Sequence, residues 1–126
     1  MQFFRFDSEV MRTITQFDSR QVGYSPILHS EEPIHVGCLH FAPGSLVGFH
    51  PAVGNQLFLV VAGEGWVRTD STGPCLIKAG QAAFWTDDEG HESGSDTGMT
   101  VIVLESPSLD PAKTMEALDE LPSLPR

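Results

Sequence analysis

Five histidines, His29, His35, His40, His50 and His91, are the side chains of this sequence best suited to chemistry near neutral pH. An imidazole can move a proton, hydrogen-bond a ligand or give a ring nitrogen to a metal. Few other reactive groups accompany them. Cys38 and Cys75 stand in apolar surroundings, Gly37-Cys38-Leu39 and Pro74-Cys75-Leu76, and read as small buried hydrophobes, with a disulfide or a catalytic thiol as the alternatives. Arg68 is one of only seven cations; it either meets an anionic ligand or pairs with the plentiful surface acids, and pairing is the commoner outcome. Trp66 and Trp85 either line a cavity mouth or fill a core with a satisfied indole N–H. Ser93 and Ser95 flank His91 too closely for a serine–histidine nucleophile. His91-Glu92 does not continue into a helical zinc motif, and no glycine-rich phosphate loop is present.

The elements that must position these residues are short strands. Twelve Gly and nine Pro in 126 residues point to many turns and against a helical bundle. Ile34–Phe41, Gln56–Ala62, Trp66–Thr69, Cys75–Ile77, Ala82–Trp85 and Met99–Glu105 read as strands, with turns at Ala42-Pro43-Gly44, Gly63-Glu64-Gly65, Asp70–Pro74 and Ala79-Gly80. Asp87-Asp88-Glu89-Gly90 reads as a loop. Val10–Thr15 and Gly23–His29 are further strand candidates. This rhythm predicts an all-β sandwich or closed barrel and excludes a parallel βαβ sheet. After Pro107 the pattern changes. Ala112, Met115, Leu118 and Leu121 fall at helical spacings behind Asp110 and Pro111, which predicts a short C-terminal helix. One barrel domain is therefore expected over 1–106, with 107–126 as a C-terminal extension.

Composition narrows the function. Hydrophobic residues make up 40% and charged residues 19% of the chain, a globular balance. With seven Lys plus Arg and a net charge of -10, no basic footprint for nucleic acid or an anionic membrane can be assembled. No apolar run is long enough to span a bilayer, and the first residues lack the parts of a secretory signal, so a cytoplasmic protein is expected. The aromatic segment Phe3-Phe4-Arg5-Phe6 needs apolar cover beyond what one small barrel offers, which points to a homodimer.

Two stretches resemble the paired motifs of the cupin superfamily. In the first, Gly44 is followed by five residues and His50, Gln56 stands where the family has a Glu, and Gly63 closes the motif. In the second, Gly80 leads and His91 lies at the matching distance, with Thr86, Asp88 and Ser95 in place of the usual Pro, Gly and Asn. The resemblance covers about 44–95 by motif and implies a double-stranded β-helix, or jelly-roll barrel. It also implies a lumen reached by His50, Gln56 and His91, with Phe58, Val60 and Ala62 facing inward on the same parity. In metal-binding relatives two His and a Glu of the first motif and the His of the second hold one divalent ion. Here Ala52 occupies the second His position, so the implied donors reduce to His50, Gln56 and His91. Such a set could still take zinc, iron, nickel or manganese, more weakly for want of a carboxylate. His29, His35 and His40 could also face the lumen, and His40, whose strand leads into the first motif, is the candidate third imidazole.

Two functions follow from the resemblance. One is a metal-dependent enzyme of undefined reaction using His50, Gln56 and His91. The other is a non-catalytic small-molecule binding or sensing protein whose ligand meets those groups directly, with Trp66, Arg68 and Trp85 as further contacts. A purely structural or interaction protein is the third option.

Overall fold

A computed structural model describes residues 1–124. Its strands are β1 (Gln2–Arg5), β2 (Arg12–Thr13), β3 (Gly23–Tyr24), β4 (His35–Phe41), β5 (Ser45–Pro51), β6 (Asn55–Thr69), β7 (Thr72–Lys78), β8 (Gln81–Trp85), β9 (Gly90–Ser95), β10 (Met99–Ser106) and β11 (Glu116–Leu118). All pairings are antiparallel. One sheet runs β11-β1-β8-β6-β10-β4. The facing sheet carries β5 beside β9, β9 beside the far half of β6, and β7 on the other side of β6. Together they form an all-β jelly-roll barrel.

The long strand β6 joins the two sheets. Its 15 residues pair first with β8 and β10, then with β9 and β7. The turn expected at Gly63-Glu64-Gly65 is therefore a bend within a continuous strand. Gly63 makes the bend with a φ of 76°, and a Cβ there would run into the Gly98 carbonyl oxygen. A register shift between Thr100 and Val101 leaves Val61 without a partner in the ladder. Gln56, Phe58 and Val60 keep the inward parity, but Ala62, beyond the bulge, is exposed rather than in the lumen.

Between the sheets lies a core of Phe58, Val60, Val67, Ile77, Trp85, Val101 and Val103. A second apolar layer covers the outer face of the first sheet, where Leu57, Leu59, Phe4 and Phe84 meet Leu109 and Met115. The C-terminal segment forms this cover without the expected helix. Pro111–Lys113 makes a single 3-10 turn, and Glu116–Leu118 then adds to the free edge of β1. A helix this short is marginal alone, while β1 offers unpaired backbone groups. The apolar spacing served docking instead: Met115 and Leu121 are buried.

The same arrangement covers the N-terminal aromatics Phe3 and Phe4 without a partner chain. Phe3 and Phe4 are buried within their own chain, between β11 and β8. The candidates Val10–Thr15 and Gly23–His29 shrink to the two-residue strands β2 and β3, which pair with each other in a ladder separate from the barrel sheets.

Candidate functional site

The barrel is open where the free edges of β4 and β5 face each other. The gap leads into a cavity of about 380 Å³, walled by Val47, Phe58 and Val103 and by the β4 backbone and side chains. His50, Gln56 and His91 line it, together with His35, Ser93 and Glu105.

Cross-strand register explains why these residues meet. Directly opposed residues of an antiparallel ladder share a face. His35 on β4 stands opposite Glu105 on β10, Glu105 opposite Gln56 on β6, and Gln56 opposite Trp85 on β8. These four form one row across the first sheet. On the other sheet His50 of β5 pairs with His91 of β9. A bulge between Val47 and His50 turns both inward despite their odd separation. The two rows touch where the Trp85 indole stacks on His91, ring centroids 3.9 Å apart and planes within 11°.

The two imidazoles are held alike. Their ring centroids are 4.5 Å apart. His50 Nδ1 lies 2.7 Å from the Gly48 carbonyl oxygen and His91 Nδ1 3.0 Å from that of Glu89. A carbonyl only accepts, so Nδ1 carries the proton and donates in each ring. In the neutral rings Nε2 is then left with its lone pair, and among the described residues neither Nε2 has a protein partner. Burial pushes the His91 pKa below the usual imidazole range, an effect reinforced by nearby His50 and opposed by the Glu89 carbonyl. His91 is 2% exposed and Gln56 9%, whereas His50 sits at the open rim.

Gln56 is oriented by its neighbour. Its Nε2 donates to Glu105 Oε1 at 2.8 Å, which fixes the amide, because a carboxylate cannot donate. Its Oε1 is buried without a partner. The carboxylate missing from the first motif is thus present one strand away. Sequence reasoning passed over Glu105 because it ends an apolar strand; its shared parity with Met99, Val101 and Val103 was the available signal.

Other candidates fall elsewhere. Trp66 and Arg68 have the opposite parity to Val67 and Thr69, so they point away from the cavity. Trp66 packs over Gly94, where a Cβ would meet its indole. Arg68 Nε pairs with Glu92 at 2.7 Å, and its guanidinium lies 5.1 Å above Phe49. Trp85 is fully buried; it backs His91 rather than lining the cavity. His40 pairs with Thr100 on the outward face, and His35 is the third imidazole at the cavity. Ala52 is buried in the core, its backbone bonded to Asp88 and Glu89.

The fit to a divalent ion rests on this donor set. Two imidazole nitrogens and the orphaned Gln56 oxygen are compatible with zinc or a similar ion. They bring no charge, and no group of three His, Cys, Asp or Glu side chains converges among the described residues. The fit is that of a weakly held ion.

No protein-family model and no curated protein matches the chain. Solved structures do. A cupin-like protein from Thermotoga maritima superposes with a TM-score of 0.56 and 20% identity, over 59% of this chain and 57% of that one. An RmlC-like cupin from Shewanella frigidimarina gives 0.55 and 25%, over 60% and 67%. A predicted oxalate decarboxylase from Thermotoga maritima gives 0.50 and 25%, over 55% and 62%. The match thus spans less than two thirds of both Thermotoga proteins. This chain has the fold of the cupin superfamily. Among the described residues no helix is long and apolar enough to cross a membrane.

Proposed function

We propose that this cupin-fold chain binds a small molecule in the cavity between β4 and β5, at His50, Gln56 and His91. One observation carries the reading. Two imidazoles paired on adjacent strands are pinned through Nδ1 and left with Nε2 atoms that have no partner among the described residues, beside a buried amide oxygen that nothing satisfies. Unpaired buried polar groups are costly, so a site that keeps one is prepared for a partner from outside. The walls are mostly apolar, as small-molecule sites are.

Two occupants suit those atoms. A divalent ion held by His50, Gln56 and His91 would make the protein a metal-dependent enzyme, since such an ion polarises a substrate oxygen or activates water. Without an ion, the same three groups hydrogen-bond the ligand directly, in a non-catalytic binding or sensing protein. The first is favoured by the free Nε2 pair; the second is favoured because, among the described residues, no third His, Cys, Asp or Glu side chain converges with the two imidazoles to share an ion. Metal analysis of protein purified without chelator separates them. Near-stoichiometric zinc, iron, nickel or manganese, lost in His50→Ala and His91→Ala, supports the ion; metal-free protein supports direct binding. Metal that persists in both variants refutes the site.

Three further readings belong with this one. We place the barrel domain at 1–106, with 107–126 as its extension. Cys38 and Cys75 are unpaired, which supports a reducing, cytoplasmic setting. A homodimer is supported by the long exposed edge of β4 in place of the N-terminal aromatics.

A further inference from the structure

Four polar side chains of the cavity, His50, His91, Gln56 and Glu105, share one hydrogen-bonding character. His50 and His91 have committed their Nδ1 protons to backbone carbonyls, so the neutral rings offer Nε2 as acceptors. Gln56 has turned its amide nitrogen to Glu105 and offers Oε1. Glu105 keeps a second carboxylate oxygen that makes no protein hydrogen bond among the described residues. Ser93 and the exposed His35 can each serve in either sense. Among the described residues no Lys or Arg lines the cavity, and Glu105 is the one carboxylate that does. An anionic ligand would meet acceptors and a like charge. A neutral ligand with acceptors of its own would leave Gln56 Oε1 unsatisfied.

We propose that the occupant is a small organic cation, a primary ammonium carried on a short apolar tail. Its three N–H donors match acceptors that the protein leaves open, and its charge is countered by Glu105. The tail packs on Val47, Phe58 and Val103. The net charge of -10 draws such a ligand from a distance. This inference rests on the small-molecule reading above and narrows it to a chemical class.

A charge series on chelator-treated, full-length protein tests it by calorimetry at about pH 8, above the range where imidazoles generally titrate. The probes are n-butylammonium, n-butanol and butyrate, which match in shape and differ in charge. The expected order is ammonium first, about tenfold or more tighter than butanol, with butyrate weakest, because a charge-assisted hydrogen bond contributes that much. Glu105→Gln is expected to reduce ammonium binding by about tenfold or more and butanol binding by less, since the amide oxygen can still accept from Gln56. The wild-type series stands even if that variant folds poorly. Butyrate or butanol binding at least as tightly as the ammonium, and losing that binding in His91→Ala, overturns the cation assignment and leaves the cavity as the site. Ammonium binding that is unchanged in both Glu105→Gln and His91→Ala overturns the cavity itself. Failure of all three probes to bind overturns the cation assignment.

Discussion

Gln56 is where the chain departs from the motif it resembles, and Glu105 explains how it can. The two side chains stand opposite each other on adjacent strands, joined by a 2.8 Å hydrogen bond. A glutamate at 56 would set two carboxylates against each other with no shared proton. Gln56→Glu is therefore expected to destabilise the fold by about 1–3 kcal/mol at neutral pH, from repulsion and a lost buried hydrogen bond. Exchanging the pair, Gln56→Glu with Glu105→Gln, restores one carboxylate and one amide and should recover most of the loss. Urea unfolding of the two singles and the double measures the coupling; additive losses would show that the pair is not a unit. His91 supplies a second expectation. Burial holds its pKa below that of the unfolded chain, so the folded state binds fewer protons as the pH falls through the imidazole range. Its contribution is complete above about pH 7 and declines as pH drops from the unfolded pKa toward the lowered folded one. The urea midpoint should fall between about pH 7 and pH 5 in the wild type, and less steeply in His91→Gln. Parallel profiles would place the acid sensitivity elsewhere.

Among the elements, β6 governs the site, because it alone runs through both sheets. Its bend at Gly63 lets Gln56 face Glu105 at one end while Thr69 pairs with His91 at the other. Gly63→Ala would place a methyl against backbone at a positive φ. A loss of about 1–3 kcal/mol is expected from strain and clash, with weakened binding at the cavity through the displaced first half of β6. Thermal unfolding checks it; a change within error would mean that the bend has room to relax. The sequence showed such strands as β8 and β10 through their apolar runs, and the Gly44–His50 and Gly80–His91 spacings placed both histidines in one barrel. It hid β5 and β9, whose Gly, Ser and His content carries little strand signal. With them it hid the His50–His91 pairing and the bulge that turns His50 inward. Gly63-Glu64-Gly65 read as a turn because glycine permits either a turn or a bend, and only tertiary pairing decides. Trp66 and Arg68 were drawn toward the site by residue type, whereas parity relative to Val67 sends them outward.

At the scale of the whole molecule, the unsolved surface is the edge of β4. All its residues but Phe41 are exposed, and among the described residues its only ladder partner is β10. Val36 is 60% exposed on the outward face, with Leu39 beside the cavity mouth. A long edge carrying apolar side chains is a template for another strand, and natural proteins seldom leave one bare. No Lys, Pro or bulge blunts it. A second copy aligned antiparallel across a two-fold axis would continue the sheet from β4 to β4 and shelter Val36. The net charge of -10 opposes that association, so it should strengthen as salt screens the repulsion. Sedimentation should give twice the chain mass at moderate salt. Val36→Lys should return a folded monomer, since the side chain is exposed and its loss costs the barrel little. If the wild type sediments as a monomer at every salt concentration, the edge is free in solution. If Val36→Lys remains a dimer, the interface lies on another face.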